Sequence, residues 1–170
     1  MDIRVSEPSP PPWLLHATAI SLGGFAALIV GPSGSGKSDL ALRCLAEAPN
    51  GLIAHAATLV ADDQTILAPR DGRLIATAPA SISGRIEVRG LGIVTVPTAR
   101  EATVALVVDL RAHLAERLPP EPLPRTDIFG HSVAQMFLAP FEASAPLKLL
   151  LALSQAERFA MSGRPPTNCT

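Results

Sequence analysis

The chain has 170 residues, 48% of them hydrophobic, and its 14 basic and 15 acidic side chains leave a formal charge of −1. That length fits one domain with a substantial core, and the lack of a basic surplus argues against nucleic acid or an anionic membrane surface as partner. The longest apolar runs are broken by Gly, Pro, Lys or Asp well short of a membrane span.

The opening stretch MDIRVSEPSPPPW has neither the basic start nor the apolar run of a signal peptide, so residues 1–12 read as a flexible, proline-rich leader of a soluble cytoplasmic protein. A single domain is expected over 13–161. WLLHATAISL (13–22) has β-type composition and runs into a Gly23-Gly24 turn, and FAALIV (25–30) is the continuous apolar run of a buried strand. Lys37 to about Ala48 reads as a helix with Leu40, Ala41, Cys44 and Leu45 on one face, stopped by Pro49-Asn50-Gly51. ATLVADD (57–63) is a second buried strand ending in two acids. A hairpin follows over 64–78 with its turn at Asp71-Gly72. RIEVRGLGIVTV (85–96) reads as strand, Gly-x-Gly break, strand, and ATVALVVDL (102–110) as another strand. Residues 111–126 read as a loop or lid, 132–140 as a last strand, and 144–161 as a C-terminal helix whose Pro146 sits in the first turn. The tail 162–170 is expected to fray. The two cysteines, Cys44 and Cys169, form neither a disulfide framework nor a zinc spacing. Many strands and two clear helices point to an α/β fold with a mixed sheet.

Gly31-Pro32-Ser33-Gly34-Ser35-Gly36-Lys37-Ser38 satisfies G-x-x-x-x-G-K-[ST] at every fixed position, between an apolar strand and an amphipathic helix. Glycines let the backbone curl into a nest whose N–H groups face phosphate oxygens. Lys37 supplies a charge near the β and γ phosphates, Ser38 a hydroxyl for magnesium, and the helix its positive end. The implied ligands are ATP and Mg2+.

Magnesium takes one or two carboxylates and keeps waters. Asp62 and Asp63 end one apolar strand, Asp109 ends another, and Glu87 lies in RIEVRG. Neighbours in a regular strand face opposite ways, so Asp62 and Asp63 divide the work, one to the metal and one to a substrate hydroxyl. Asp109 fits the pattern of an acid after an apolar strand almost as well, and spacing does not decide between them. His16, shortly before the loop's strand, is a weaker candidate from spacing alone, and His55, His113 and His131 have no motif around them.

Together LLHATAISLGG, LIVGPSGSGKSDLAL, LVADD and RIEVRGLGIVTV resemble, in order, the catalytic domain of the HPr kinase/phosphorylase family, chiefly over residues 13–110. E-[IV]-R-G-L-G-I is a signature of that family. The resemblance implies a P-loop nucleotide-binding fold with a mixed sheet related to phosphoenolpyruvate carboxykinase, and hexameric assembly. It implies transfer of the γ-phosphoryl of ATP to a serine of HPr, the phosphocarrier of the sugar phosphotransferase system, or of a paralogue. It also implies removal of that phosphate by inorganic phosphate to give pyrophosphate. His16 matches the family's histidine before the loop, and Asp62 and Asp63 its acidic pair, one of which serves as base towards the acceptor serine. Lys37 belongs to the catalytic set, as does Arg89, which with Gly90 and Gly92 completes the signature. Ser38, Asp63 and Glu87 are the expected metal residues.

The sequence departs from the family in two places. Only a short leader precedes the catalytic part, as in a truncated form. The Gly-Arg-Asn segment expected near the C-terminus is missing, and FLAPFEASAPLKLLLAL stands in roughly its place. Arg125 reads as a solvated loop residue and Lys148 as a helix surface charge. Two other readings compete: a small-molecule kinase with Arg111, Arg117 and Arg125 in a lid, and a nucleotide-sensing module that moves no phosphate. A guanine-nucleotide switch is disfavoured, because no Asn-Lys-x-Asp motif is present.

Overall fold

The computed structural model describes residues 11–114 and 116–156. Residues 1–10 of the expected leader, the tail 162–170 and the last residues of the expected C-terminal helix lie outside that range. In chain order the elements are β1 (Trp13–Leu15), β2 (Thr18–Leu22), β3 (Phe25–Val30), α1 (Lys37–Ala46), β4 (Thr58–Ala61), β5 (Thr65–Arg70) and β6 (Arg73–Thr77). They continue with β7 (Arg85–Val88), β8 (Gly92–Thr95), β9 (Glu101–Leu110), β10 (Arg125–Ile128), β11 (His131–Leu138) and α2 (Ala145–Ser154).

The apolar run of β3 lies between antiparallel β2 and parallel β9, the mixed pairing expected of this sheet. The path runs β1-β5-β6-β9-β3-β2-β4. The ten residues of β9 are long enough to serve two neighbours on one edge: β6 takes Glu101–Thr103 and β11 takes Leu106–Leu110. The sheet therefore forks beside β9, and β1 at the end of one branch meets the β10–β11 turn at the end of the other. The Trp13 ring stacks on Phe129 at 4.8 Å between centroids with planes 6° apart. The 85–96 segment forms a separate hairpin of β7 and β8, with Ile86 buried in the main core.

Alternation along β3 and β9 divides the core. Ala27, Ile29, Leu106 and Val108 face α1 and α2, while Ala26, Leu28 and Val107 face the other side with Val60, Leu67 and Leu74. α1 buries Leu40, Ala41 and Cys44 as its spacing predicts, with Leu45 partly buried, but it ends at Ala46 rather than Ala48. Glu47 is already extended, and Ala48, the residue before Pro49, is itself kept from helical backbone, so the helix cannot resume. The 64–78 hairpin turns at Asp71-Gly72 with φ of 51° and 73°, as expected.

WLLHATAISL, β-type by composition, forms two strands: β1 pairs with β5, and β2 pairs with β3 and β4. Two expectations change. The strand read over 57–63 stops at Ala61, so both acids lie beyond it. The end of the expected 111–126 loop is strand β10, and Arg125 sits in it as an exposed strand residue bonded to the Ser132 hydroxyl at 2.8 Å. The β10–β11 turn hides in sequence because Phe129 takes φ 51° where Asn or Asp is usual. Stacking on Trp13 and the Gly130 N–H bond to Asp127 (3.0 Å) hold it there.

Burial pushes the Cys44 thiol up to about 12. A thiol raised in the folded state favours folding at pH below its unfolded value near 9 and loses that contribution as pH rises towards 12. We expect unfolding free energy to fall from pH 9 to 11 by up to about 1.4 kcal/mol per unit beyond the decline of Cys44→Ala. Peptide-resolved alkylation at pH 8 should leave Cys44 unmodified until urea unfolds the chain. Rapid native labelling at Cys44 would contradict this packing.

Candidate active site

The glycine-rich loop leaves β3 at Gly31 and returns as α1 at Lys37. A Cβ on Gly31 would stand 2.7 Å from Ser35 Oγ and 3.3 Å from the Leu110 Cβ, so no side chain fits there. The Ser35 hydroxyl is buried inside the loop with no hydrogen-bond partner among the described residues. Gly36 takes φ 96° at the helix N-cap and offers no side-chain cap, so the first N–H groups of α1 are left for a ligand or water. Lys37 is 6% exposed. Its ammonium donates to the carbonyls of Gly31 and Pro32, each at 3.1 Å, and so lies in the hollow of the loop.

The acidic pair is divided, though not as a regular strand would divide it. The Asp62 carboxylate accepts from the Ser38 hydroxyl at 2.6 Å, the Thr18 hydroxyl at 3.0 Å and the Glu87 N–H at 3.1 Å. Asp63 takes φ 64°, its N–H donates to Thr18 Oγ1 at 3.2 Å, and its carboxylate pairs with His16 Nδ1 at 3.3 Å. Both members of the His16–Asp63 pair are more than half exposed, at 53% and 61%. Of the expected metal residues, Ser38 therefore meets Asp62 rather than Asp63, because the left-handed backbone after Ala61 turns Asp63 towards the rim. Glu87 approaches Asp62 through its backbone amide, and the residue is exposed. Arg89, in the turn between β7 and β8, places Nη2 at 3.9 Å from where a Cβ on Gly34 would be, against the crown of the loop.

His16, Thr18, Lys37, Ser38, Asp62, Asp63, Glu87 and Arg89 thus converge at one end of the sheet, where β2 begins and β3 and β4 end. Asp109 lies at that end but on the other flank of β3, in register with Val30, and its partner is Arg111 at 2.7 Å. Arg111 lies over the Phe137 ring, 4.9 Å from its centroid. Thr18 has no motif of its own in the sequence. The antiparallel pairing of β2 with β3, which sets Thr18 beside Ile29, brings it to the site. Lys148, on α2, pairs with Glu142.

The arrangement offers a buried cation, uncapped helix N–H groups and a guanidinium around one loop, with hydroxyl and carboxylate oxygens on one side of it. That set suits an oxyanion such as a polyphosphate together with a hard cation. Among the described residues no three His, Cys, Asp or Glu side chains gather as a metal cage, and magnesium shared with a phosphate chain needs none.

The model of the HPr serine kinase C-terminal domain matches residues 11–130. An HPr kinase/phosphorylase of Clostridium tetani is 39% identical over 94 residues, which is 55% of this chain and 28% of that relative. One of Clostridium novyi is 34% identical over 114 residues, 63% of this chain and 34% of the relative. The chain thus spans about a third or less of the curated relatives it matches. The solved structure of an Hpr(Ser) kinase/phosphatase from Coxiella burnetii superposes with a TM-score of 0.69 at 25% identity, covering 89% of this chain and 93% of that one. With the glycine-rich loop, the acidic pair and the EVRGLGI hairpin all inside the matched span, the chain belongs to the HPr serine kinase C-terminal domain family.

Proposed function

We propose that this chain is an ATP-dependent serine kinase of the phosphocarrier HPr or a paralogue, able to run backward by phosphorolysis, in which inorganic phosphate takes the phosphoryl group and leaves as pyrophosphate. A P-loop core akin to phosphoenolpyruvate carboxykinase, hexameric assembly and a cytoplasmic place in the phosphotransferase system belong to the same reading. The observation that most supports it is the Ser38–Asp62 contact beside buried Lys37, tied to the EVRGLGI hairpin by the Glu87 amide.

Phosphoryl transfer through a loose transition state asks mainly for positioning and charge neutralisation. The loop amides, the α1 N-terminus and Lys37 would grip the β and γ phosphates, and Arg89 would meet them from the crown. The Ser38 hydroxyl and the Asp62 carboxylate would hold magnesium, which when bound would supply charge neutralisation for the phosphates. Asp62 has its oxygens engaged by three donors, whereas Asp63 stands at the rim with His16. Asp63 is therefore the better base: it orients the incoming serine and takes its proton as the serine oxygen bonds to the γ-phosphorus and the bond to ADP breaks. His16 holds the Asp63 carboxylate in place. An exposed rim suits a protein substrate, whose serine must reach the site from outside.

One set of contacts favours the sensing module as a second reading. Lys148 is engaged by Glu142 and Arg125 by Ser132. Neither stands free to replace the arginine of the missing Gly-Arg-Asn segment.

The test is transfer of label from γ-labelled ATP with magnesium to HPr, beside HPr whose acceptor serine is alanine. The kinase reading predicts label on the first protein alone, and pyrophosphate on adding phosphate to the labelled product. Nucleotide binding with no label on either protein would favour sensing. Lys37→Ala should lower transfer by at least about 100-fold with an unchanged thermal melt, and normal turnover in that variant would remove the loop from the mechanism. Asp63→Asn should lower kcat by about 100- to 10,000-fold. Asp109→Asn should stay within about threefold of wild type, as a surface ion pair contributes little, and a loss equal to that of Asp63→Asn would move the acid to the other strand.

A further inference from the structure

The strand carrying the glycine-rich loop has two flanks, and the proposed chemistry uses only one. Thr18, Asp62 and the His16–Asp63 pair belong to the β2 and β4 side. On the β9 and β11 side, the chain leaves β9 after Leu110 and β11 after Leu138. The two departing segments, Ala112–Leu114 and Ala139–Glu142, wall a cleft of about 410 Å³, within the range of small-molecule sites.

One wall of this cleft is fixed to the loop and its helix. Arg43 of α1 donates to the Pro140 carbonyl and, at 3.4 Å, to that of Glu142. Phe141 between them is 72% exposed, although its ring lies so close to the loop that a Cβ on Gly36 would sit 3.0 Å from Cζ. A large aromatic ring is thus anchored at its base, open on its outer side, and adjacent to the end of the loop that starts α1. Leu114, 37% exposed, lies across the cleft.

This geometry bears on the direction a nucleotide would lie. If the terminal phosphate faces Asp62 and Asp63, the rest of the triphosphate runs past the start of α1 towards the opposite flank. The nucleoside then arrives where Phe141 offers a flat apolar face. We propose that the purine base of the nucleotide stacks on Phe141 in the cleft between Ala112–Leu114 and Ala139–Glu142. This rests on the nucleotide reading of the loop and adds a base-binding subsite to it. Stacking on an exposed ring reads the base by its π-face, not by hydrogen bonds, so the subsite contributes affinity with little choice among purines.

The test is calorimetric binding of ATP and of inorganic tripolyphosphate, both with magnesium, to wild type, Phe141→Ala, Phe141→Trp and Lys37→Ala. Phe141→Ala should weaken ATP by about five- to 150-fold, the range of base–aromatic stacking. It should leave tripolyphosphate within about twofold, since that probe has no base to lose. Phe141→Trp should keep wild-type affinity for ATP. An unchanged ATP affinity in Phe141→Ala, or an equal loss for both ligands, would overturn the subsite while Lys37→Ala still weakened both. Failure of the wild type to bind either ligand, or binding insensitive to Lys37→Ala, would overturn the nucleotide reading and the subsite with it.

Discussion

The carboxylate of Asp62 is where the fold and the site meet. Its three donors come from the start of β2, the first turn of α1 and the middle of β7, segments far apart in the chain. Without a shared acceptor the β7–β8 hairpin, a separate sheet held to the core chiefly through Ile86, would have one fewer reason to lie over the loop. The same carboxylate fixes the Ser38 hydroxyl and, through Thr18, the amide that places Asp63. A buried or half-buried acceptor with several donors specifies one arrangement, because any donor that loses it must find water.

Strand order explains why the site lies at one end of the sheet. β2 runs against β3 and β4 runs against β2, so the start of β2 and the ends of β3 and β4 coincide. β9 runs with β3 and ends at the same edge. Four segments therefore open towards one place, with the acids on one flank of the loop and an open cleft on the other. Both faces of β3 and β9 are covered by buried side chains, which fixes the strands that reach this edge, as the proposed positioning of a phosphate chain would require.

Much of this was legible in the residues. The apolar run 25–30, the glycine-rich loop and the spacing of Leu40, Ala41 and Cys44 are local signals, and each produces the element it implies. The Asp71-Gly72 turn is likewise local chemistry. What escaped is set by pairing across the sheet. Nothing near Thr18 marks it as a partner of Asp62, since that contact spans 44 residues. The division between Asp62 and Asp63 follows from where β4 stops and from a left-handed residue, which alternation along a strand does not foresee. β10 was hidden because Phe129 occupies a turn position that depends on Trp13, from the far branch of the sheet. Phe141 carried no signal at all: a lone aromatic in a proline-bearing loop gains meaning only from its place beside Gly36.

In the proposed mechanism Ser38 and Asp62 work as one unit, joined by the hydroxyl–carboxylate contact beside Lys37. A double-mutant cycle of Ser38→Ala and Asp62→Ala, read by the rate of label transfer to HPr, tests this directly. We expect the double variant to be no slower than the slower single variant, within about threefold, because either change already breaks the shared contact. Losses that multiply across the cycle would contradict it, and would mean that the two residues serve separate steps.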